Sequence, residues 1–100
     1  MTFSAKALSA LPSPALVVDL AAVDSNISEV RRLLAGSTVR LRPHFKAHKC
    51  TTLMRRQVSG RECAGVTCQT SWESLVLAKA GFPDILVTNQ IVDRSALGGY

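Results

Sequence analysis

Aromatic residues are scarce in this sequence: three Phe, one Trp and one Tyr, 5% of 100 residues. Platforms that stack single-stranded nucleic acid interleave aromatics with cations, and no basic run here reaches five residues. A nucleic-acid partner is therefore not expected, despite 12 Lys and Arg against 7 Asp and Glu. The excess of +5 suits a small anion better, provided the cations gather in one place. Long apolar runs are missing too. No stretch approaches the ~20 residues of a membrane-spanning helix. Residues 1–11 lack the basic cluster and solid apolar core of a signal peptide, so the expectation is a cytoplasmic protein with no membrane partner. Cysteine occurs only as Cys50, Cys63 and Cys68, an odd number with no C-x-x-C pair. That argues against a disulfide framework or a zinc knuckle, and each thiol is expected to be reduced and partly buried. Neither G-x-G-x-x-G nor a P-loop follows any predicted strand, which argues against a dinucleotide fold.

What the sequence does have is 47% hydrophobic residues, the composition of a globular domain, arranged in alternating periods. Pro14 to Leu20 is a β-branched apolar run that suits a buried parallel strand. From Ala21 to Ala35 the spacing changes to threes and fours, with Val23, Ile27, Val30 and Leu34 on one stripe of an amphipathic helix and Gly36 as its stop. A second strand is predicted over Val39–His48, then a helix over Thr51–Ser59 closed by Gly60, and a third strand over Ala64–Gln69. Thr70 and Glu73 have the spacing of a capping box, opening a helix that runs to Ala80 with Gly81 beyond it. The fourth strand is predicted over Asp84–Gln90, and Val92–Leu97 resembles the start of another helix.

Four strand–helix alternations with short links and no hairpin signals predict an α/β fold with a parallel sheet and right-handed crossovers. An open doubly wound sheet and a TIM-type (β/α)8 barrel share this pattern, and the missing dinucleotide motifs favour the barrel. A complete barrel takes about 250 residues. The expectation is therefore that residues 1–100 form the N-terminal part of one, incomplete in this chain, with unpaired end strands. Leu97-Gly-Gly-Tyr100 stops without a helix end or a polar tail, as a fragment would.

The chemistry concentrates in Val39-Arg-Leu-Arg-Pro-His-Phe-Lys-Ala-His48. If this is a strand, alternation puts Val39, Leu41, Pro43, Phe45 and Ala47 on one face, for packing against helices. Arg40, Arg42, His44, Lys46 and His48 then share the other face, which in a barrel points inward, where unpaired charge is costly. Such a row makes sense as an anion site near the C-terminal mouth, where barrel active sites lie, with Arg40 at the far end reaching the bottom face or solvent. The plainer alternative is an exposed edge strand with a solvated basic face. Crowded positive groups and partial burial both favour the neutral form of an amine, the form that Schiff-base chemistry requires. Lys46 shares the parity of both histidines and Lys49 does not, so Lys46 is the expected nucleophile.

Arg42-Pro-His-Phe-Lys-Ala-His-Lys49 resembles the R-P-H-x-K-x-H-K signature of the D-threonine aldolase and D-serine dehydratase family. These are fold-type III pyridoxal-phosphate (PLP) enzymes whose N-terminal barrel is related to that of alanine racemase. The likeness extends to Ser13–Leu20 and Asn26-Ile27, to Gly65–Thr70, and to Glu73–Gly81 with Asp84–Val92. Ala47, Phe45, Ser13 and Ala21 depart from the usual pattern without removing a reacting group.

The resemblance implies that Lys46 binds PLP covalently and that the substrate is a small D-amino acid. It also implies that a divalent metal belongs to a C-terminal β domain outside these residues, and that the full-length protein is a homodimer. His44, His48 and Arg42 are candidates for holding the cofactor or its phosphate. Gln69 and Asn89, with Gln90, are further candidates because strand C-termini reach the mouth. Retro-aldol cleavage to glycine and an aldehyde is the expected reaction of the full-length enzyme, while the 100 residues alone are expected to be inactive. D-serine dehydration, racemisation and a non-catalytic PLP-binding protein are alternatives of the same fold, and a basic nucleic-acid-binding module is a remote one.

Overall fold

The computed structural model describes residues 5–97; the start of the leader and the stop after Leu97 lie outside them. The chain divides into two compact units, Met1–Leu33 and Leu34–Tyr100.

The first unit contains two helices. Helix α1, Ala5–Ser9, occupies part of the leader that the sequence reading left without structure. Pro14–Leu20, expected to be a strand, is not one: no strand is formed over residues 14–19 and helix α2 begins at Leu20. A strand is defined by its ladder, and this run has none. Its apolar side chains stand in the open, Leu16 being 98% exposed.

Helix α2, Leu20–Leu34, matches the predicted helix to within one residue at each end. It opens on a side-chain cap, because Asp19 Oδ1 accepts from the N–H groups of Ala21 at 3.0 Å and Ala22 at 3.3 Å, two donors that a helix start leaves unpaired. Glu29 and Arg32, one turn apart, pair at its surface. Gly36 follows with φ of 76°, the left-handed geometry in which a helix commonly ends.

The second unit holds the core. Its elements are α3 (Thr51–Gln57), β1 (Val66–Cys68), α4 (Ser71–Lys79), β2 (Ile85–Val87) and the short α5 (Arg94–Leu97), preceded by a 3-10 turn at Phe45–Ala47. Strands β1 and β2 are parallel, with Val66 opposite Ile85 and Cys68 opposite Val87, so β1–α4–β2 is a strand–helix–strand crossover of the expected kind. Phe45, Met54, Val66, Cys68, Leu77 and Phe82 form one buried cluster. Each such side chain contributes about 1.5–3 kcal/mol by leaving water. The cluster draws on the turn, α3, β1, α4 and the loop before β2, which locks these elements to one another.

Helix α4 starts as predicted. Thr70 Oγ1 accepts from the Glu73 N–H at 3.1 Å and donates to Glu73 Oε2 at 2.9 Å. The buried Glu73 carboxylate sits where the helix macrodipole favours negative charge.

Several predicted elements are shorter in the structure, the third strand being Val66–Cys68 within Ala64–Gln69. The second helix ends at Gln57, before Ser59 and Gly60; the fourth strand is Ile85–Val87 within Asp84–Gln90; and the last helix starts at Arg94, after Val92. The strand expected over Val39–His48 is reduced to two isolated parallel bridges, Leu41 to Cys63 and His44 to Thr67. Those bridges still run residues 41–44 along β1, on the edge that β2 does not use. The structure is thus an α/β arrangement whose only regular sheet among the described residues has two parallel strands. No helix among them is long and apolar enough to cross a membrane.

Candidate functional site

Residues 41–44 are held to β1 and to the segment just before it by backbone bonds. Leu41 N–H donates to Glu62 O at 2.7 Å, Ala64 N–H to Leu41 O at 2.8 Å and Thr67 N–H to Pro43 O at 2.8 Å. At His44 the extended backbone ends and the chain turns into the 3-10 segment. The alternation that placed Lys46 and His48 on one face with Arg40, Arg42 and His44 therefore breaks at Phe45. Phe45 is buried as predicted, but Ala47 is exposed rather than packed on helices. The parity argument for Lys46 over Lys49 fails with the strand; both lysines are exposed.

The cations expected to line an anion site are largely engaged in tying the fold together. Arg40 donates to the carbonyl oxygens of Cys63 at 2.6 Å and Arg61 at 3.3 Å. Arg42 Nη1 reaches Asp84 Oδ1 at 2.8 Å, Val66 O at 3.2 Å and Asp84 O at 3.3 Å. Arg42 thus ties the start of β1 to the residue before β2. Its guanidinium holds the Asp84 carboxyl below the usual carboxylate range, chiefly through their hydrogen bond. Gly65 makes room for this link: a Cβ there would lie 2.5 Å from Asp84 O and 2.6 Å from Arg42 Nη1, and its φ is 153°.

The two histidines use their rings in the same way. His44 Nδ1 accepts the Lys46 N–H at 3.2 Å, and His48 Nδ1 accepts the Cys50 N–H at 3.0 Å. Each ring is then anchored at Nε2, His44 against Thr88 Oγ1 at 3.3 Å and His48 against Gln57 Oε1 at 2.7 Å. A ring nitrogen that accepts carries no proton, so both rings are assigned the tautomer with the proton on Nε2. His48 also packs on Phe45, with ring centroids 5.9 Å apart. Inside the second cap, between His48 and Cys50, lies Lys49 with φ of 54°, a left-handed backbone that costs a non-glycine residue energy and persists only where its surroundings impose it.

Lys46 therefore projects from a turn whose neighbour Phe45 is locked in the core and whose own amide is capped by His44. Among the described residues none hydrogen-bonds to or ion-pairs with its ammonium group.

Gln69 and Asn89 follow the C-terminal ends of β1 and β2 and line one cleft of about 260 Å³ with Thr70, Gln90 and Ile91. Arg42, His44, Lys46 and His48 do not line that cleft. Of the six candidates the structure brings together only Gln69 and Asn89, at this cleft; His44 meets Thr88, the residue before Asn89, while Arg42 is engaged at the starts of the two strands and His48 on Gln57. Thr88 and Gln57 were missed by the sequence reading. The signal available for Thr88 was a hydroxyl at the end of a strand whose next two residues had already been selected.

The cysteines are free, with Cys63 and Cys68 buried and Cys50 partly so. Burial, reinforced by the nearby Glu73 carboxylate, pushes the Cys68 thiol up, which keeps it in the protonated, unreactive form. No three His, Cys, Asp or Glu side chains among the described residues converge on a point where they could hold a metal ion.

No protein-family profile matches the chain. Individual proteins do. A D-threonine aldolase from Arthrobacter sp. is 36% identical over 90 residues, 90% of this chain and 24% of that protein. A 3-hydroxy-D-aspartate aldolase from Paracoccus denitrificans (strain Pd 1222) is 34% identical over 93 residues, covering 88% and 24%. A solved structure of a D-threo-3-hydroxyaspartate dehydratase mutant superposes with a TM-score of 0.82 at 30% identity, over 92% of this chain and 24% of that one. The chain thus spans about a quarter of the length of the curated relatives it matches, and over that quarter it is their homologue.

Proposed function

We propose that this homologue of D-threonine aldolase and the hydroxyaspartate aldolases belongs to a PLP-dependent lyase that acts on D-β-hydroxy-α-amino acids and cleaves them to glycine and an aldehyde. The observation that carries the proposal is Lys46: an exposed amine with no partner among the described residues, on a turn pinned by a buried Phe45 and capped by His44, inside the R-P-H-F-K-A-H-K run. Lys46 Nζ is the residue assigned to hold PLP. When bound, PLP supplies an electron sink for the electrons released at the substrate's α-carbon.

The chain's own residues set limits on what surrounds that amine. Lys46 Nζ, once free of the cofactor, can carry a proton to or from the reacting centre. His44 Nδ1 is committed to the Lys46 amide and His48 Nδ1 to the Cys50 amide, so the histidines serve as fixings of the turn. Arg42 is committed through Nη1 to Asp84, which leaves phosphate binding to other groups of the full protein. Gln69 and Asn89 offer amides at the neighbouring cleft, suited to a small polar substrate. A TIM-type barrel, a second domain with a divalent metal, a homodimer and a cytoplasmic setting all belong to the same proposal for the full-length protein. The 100 residues alone are expected to turn nothing over.

Incubating the full-length protein with D-threonine tests the reading. Glycine and acetaldehyde are expected, with borohydride trapping the cofactor on Lys46; a label on another lysine, or on none, overturns it. The dehydratase reading draws on the structural likeness to the hydroxyaspartate dehydratase and is separated by the product, since D-serine would then yield pyruvate.

A further inference from the structure

We infer that Thr88 is a positioning residue for Lys46, acting through His44. The inference rests on the assignment of Lys46 as the cofactor-holding amine.

The argument is a count of protons along one chain of contacts. The Lys46 amide brings its N–H to His44 Nδ1 at 3.2 Å, so Nδ1 must be bare; a proton there would face the amide proton. The proton of the neutral ring is therefore on Nε2, 3.3 Å from Thr88 Oγ1, and Thr88 must accept it. The Thr88 hydroxyl is free to accept because its own proton points to Cys68 O, 3.2 Å away. Each group has one proton to give, and each gives it in the same direction: Lys46 amide to His44, His44 to Thr88, Thr88 to the last carbonyl of β1.

Thr88 is itself fixed by its backbone, whose N–H donates to the same Cys68 O at 2.9 Å. The register of the two strands therefore sets the plane of an imidazole, and the imidazole sets the backbone of the turn that bears Lys46. Thr88 is exposed and contributes nothing to the buried cluster, and losing its hydroxyl would leave its backbone bond in place. Its side chain thus bears on the lysine turn rather than on the core.

The test compares full-length wild type with T88V and T88S. Two quantities are read: hydrogen exchange of the Lys46 backbone amide, and the rate at which added PLP becomes borohydride-trapped on Lys46. Loss of one hydrogen bond corresponds to about a three- to tenfold change. T88V is expected to speed Lys46 amide exchange and slow trapping by factors in that range, with the amides of Val66 and Cys68 as protected as in wild type. T88S, which keeps the hydroxyl, is expected to restore both.

Wild-type behaviour of T88V in either readout overturns the inference. So does an equal loss of protection at Val66 and Cys68, which would mark a merely structural role, or a T88S that behaves like T88V. Without any variant, the ring-nitrogen resonances of His44 in the wild type must report a proton on Nε2; a proton on Nδ1 refutes the chain of contacts outright. If wild type takes no PLP on Lys46, the functional reading falls, while amide exchange and the ring resonances still decide the role of Thr88.

Discussion

Helix α2 has 15 residues and buries none of them, whereas α4 has nine and buries Glu73, Ser74 and Leu77. Their local signals are alike: each opens on a side-chain cap, Asp19 for one and Thr70 for the other. The difference is what stands behind them. Helix α4 is the crossover between two paired strands and closes over Val66, Cys68 and Phe45. Helix α2 follows an apolar run that forms no strand, and its stripe is only half-buried at Val23, Ile27 and Leu34, with Val30 38% exposed. Amphipathic spacing makes a helix. Only a facing surface makes that helix part of a core.

The sharpest way to break this comparison is to truncate one leucine in each helix. Leu77→Ala removes a fully buried side chain and should cost about 2–5 kcal/mol, whereas Leu33→Ala, at a position 66% exposed, should cost under about 0.5 kcal/mol. Denaturant midpoints of the full-length variants measure both. Equal losses would mean that other parts of the protein cover α2 and would erase the contrast.

The glycines extend it. At Gly65 an alanine would meet Asp84 and Arg42 in a backbone region that side chains rarely adopt, a loss of about 1–3 kcal/mol. At Gly36 the left-handed backbone is the only obstacle, since nothing lies within 4 Å of an added Cβ, and about 1 kcal/mol is expected. Thermal melts of the two alanine variants rank them, and the order Gly36 above Gly65 would sink the account of the Arg42 link.

Smaller still is the difference between the caps. Thr70→Ala should lower stability by about 1 kcal/mol, because the cap carries a buried carboxylate with it. Asp19→Ala should lower it by about 0.5 kcal/mol, at a helix start that anchors no core. Calorimetry of the pair decides.

The smallest effect is in pH. Asp84 is held below the usual carboxylate range by Arg42, so the unfolded chain binds its proton more readily than the folded one. The link therefore stabilises fully above about pH 4 and is lost as pH falls through the depressed native value. Melting curves of wild type and D84N should converge below about pH 4, and a constant gap would show that the Arg42–Asp84 contact carries no linkage.

The legible parts of this protein were those whose cause is local. Spacings of three and four marked α2, and Thr70 with Glu73 marked the start of α4. β-branched residues marked β1 and β2, though both proved shorter than their apolar runs because a ladder ends where its partner does. Val39–His48 was misread as one strand because alternation alone cannot show where extended backbone gives way to a turn. The residues that stop it, His44 capping its own chain and Phe45 dropping into the core, act through contacts with Thr88 and Leu77's cluster, far away in sequence.

The amino-acid order by itself determined an α/β chain with one motif, Arg42–Lys49, in which cations and histidines concentrate. Tertiary structure alone decided which partners the arginines and histidines of that motif meet within the fold. Arg42 meets Asp84 and His44 meets Thr88 across some forty residues of sequence, and a hydrogen bond depends on position in space, which spacing along the chain does not encode.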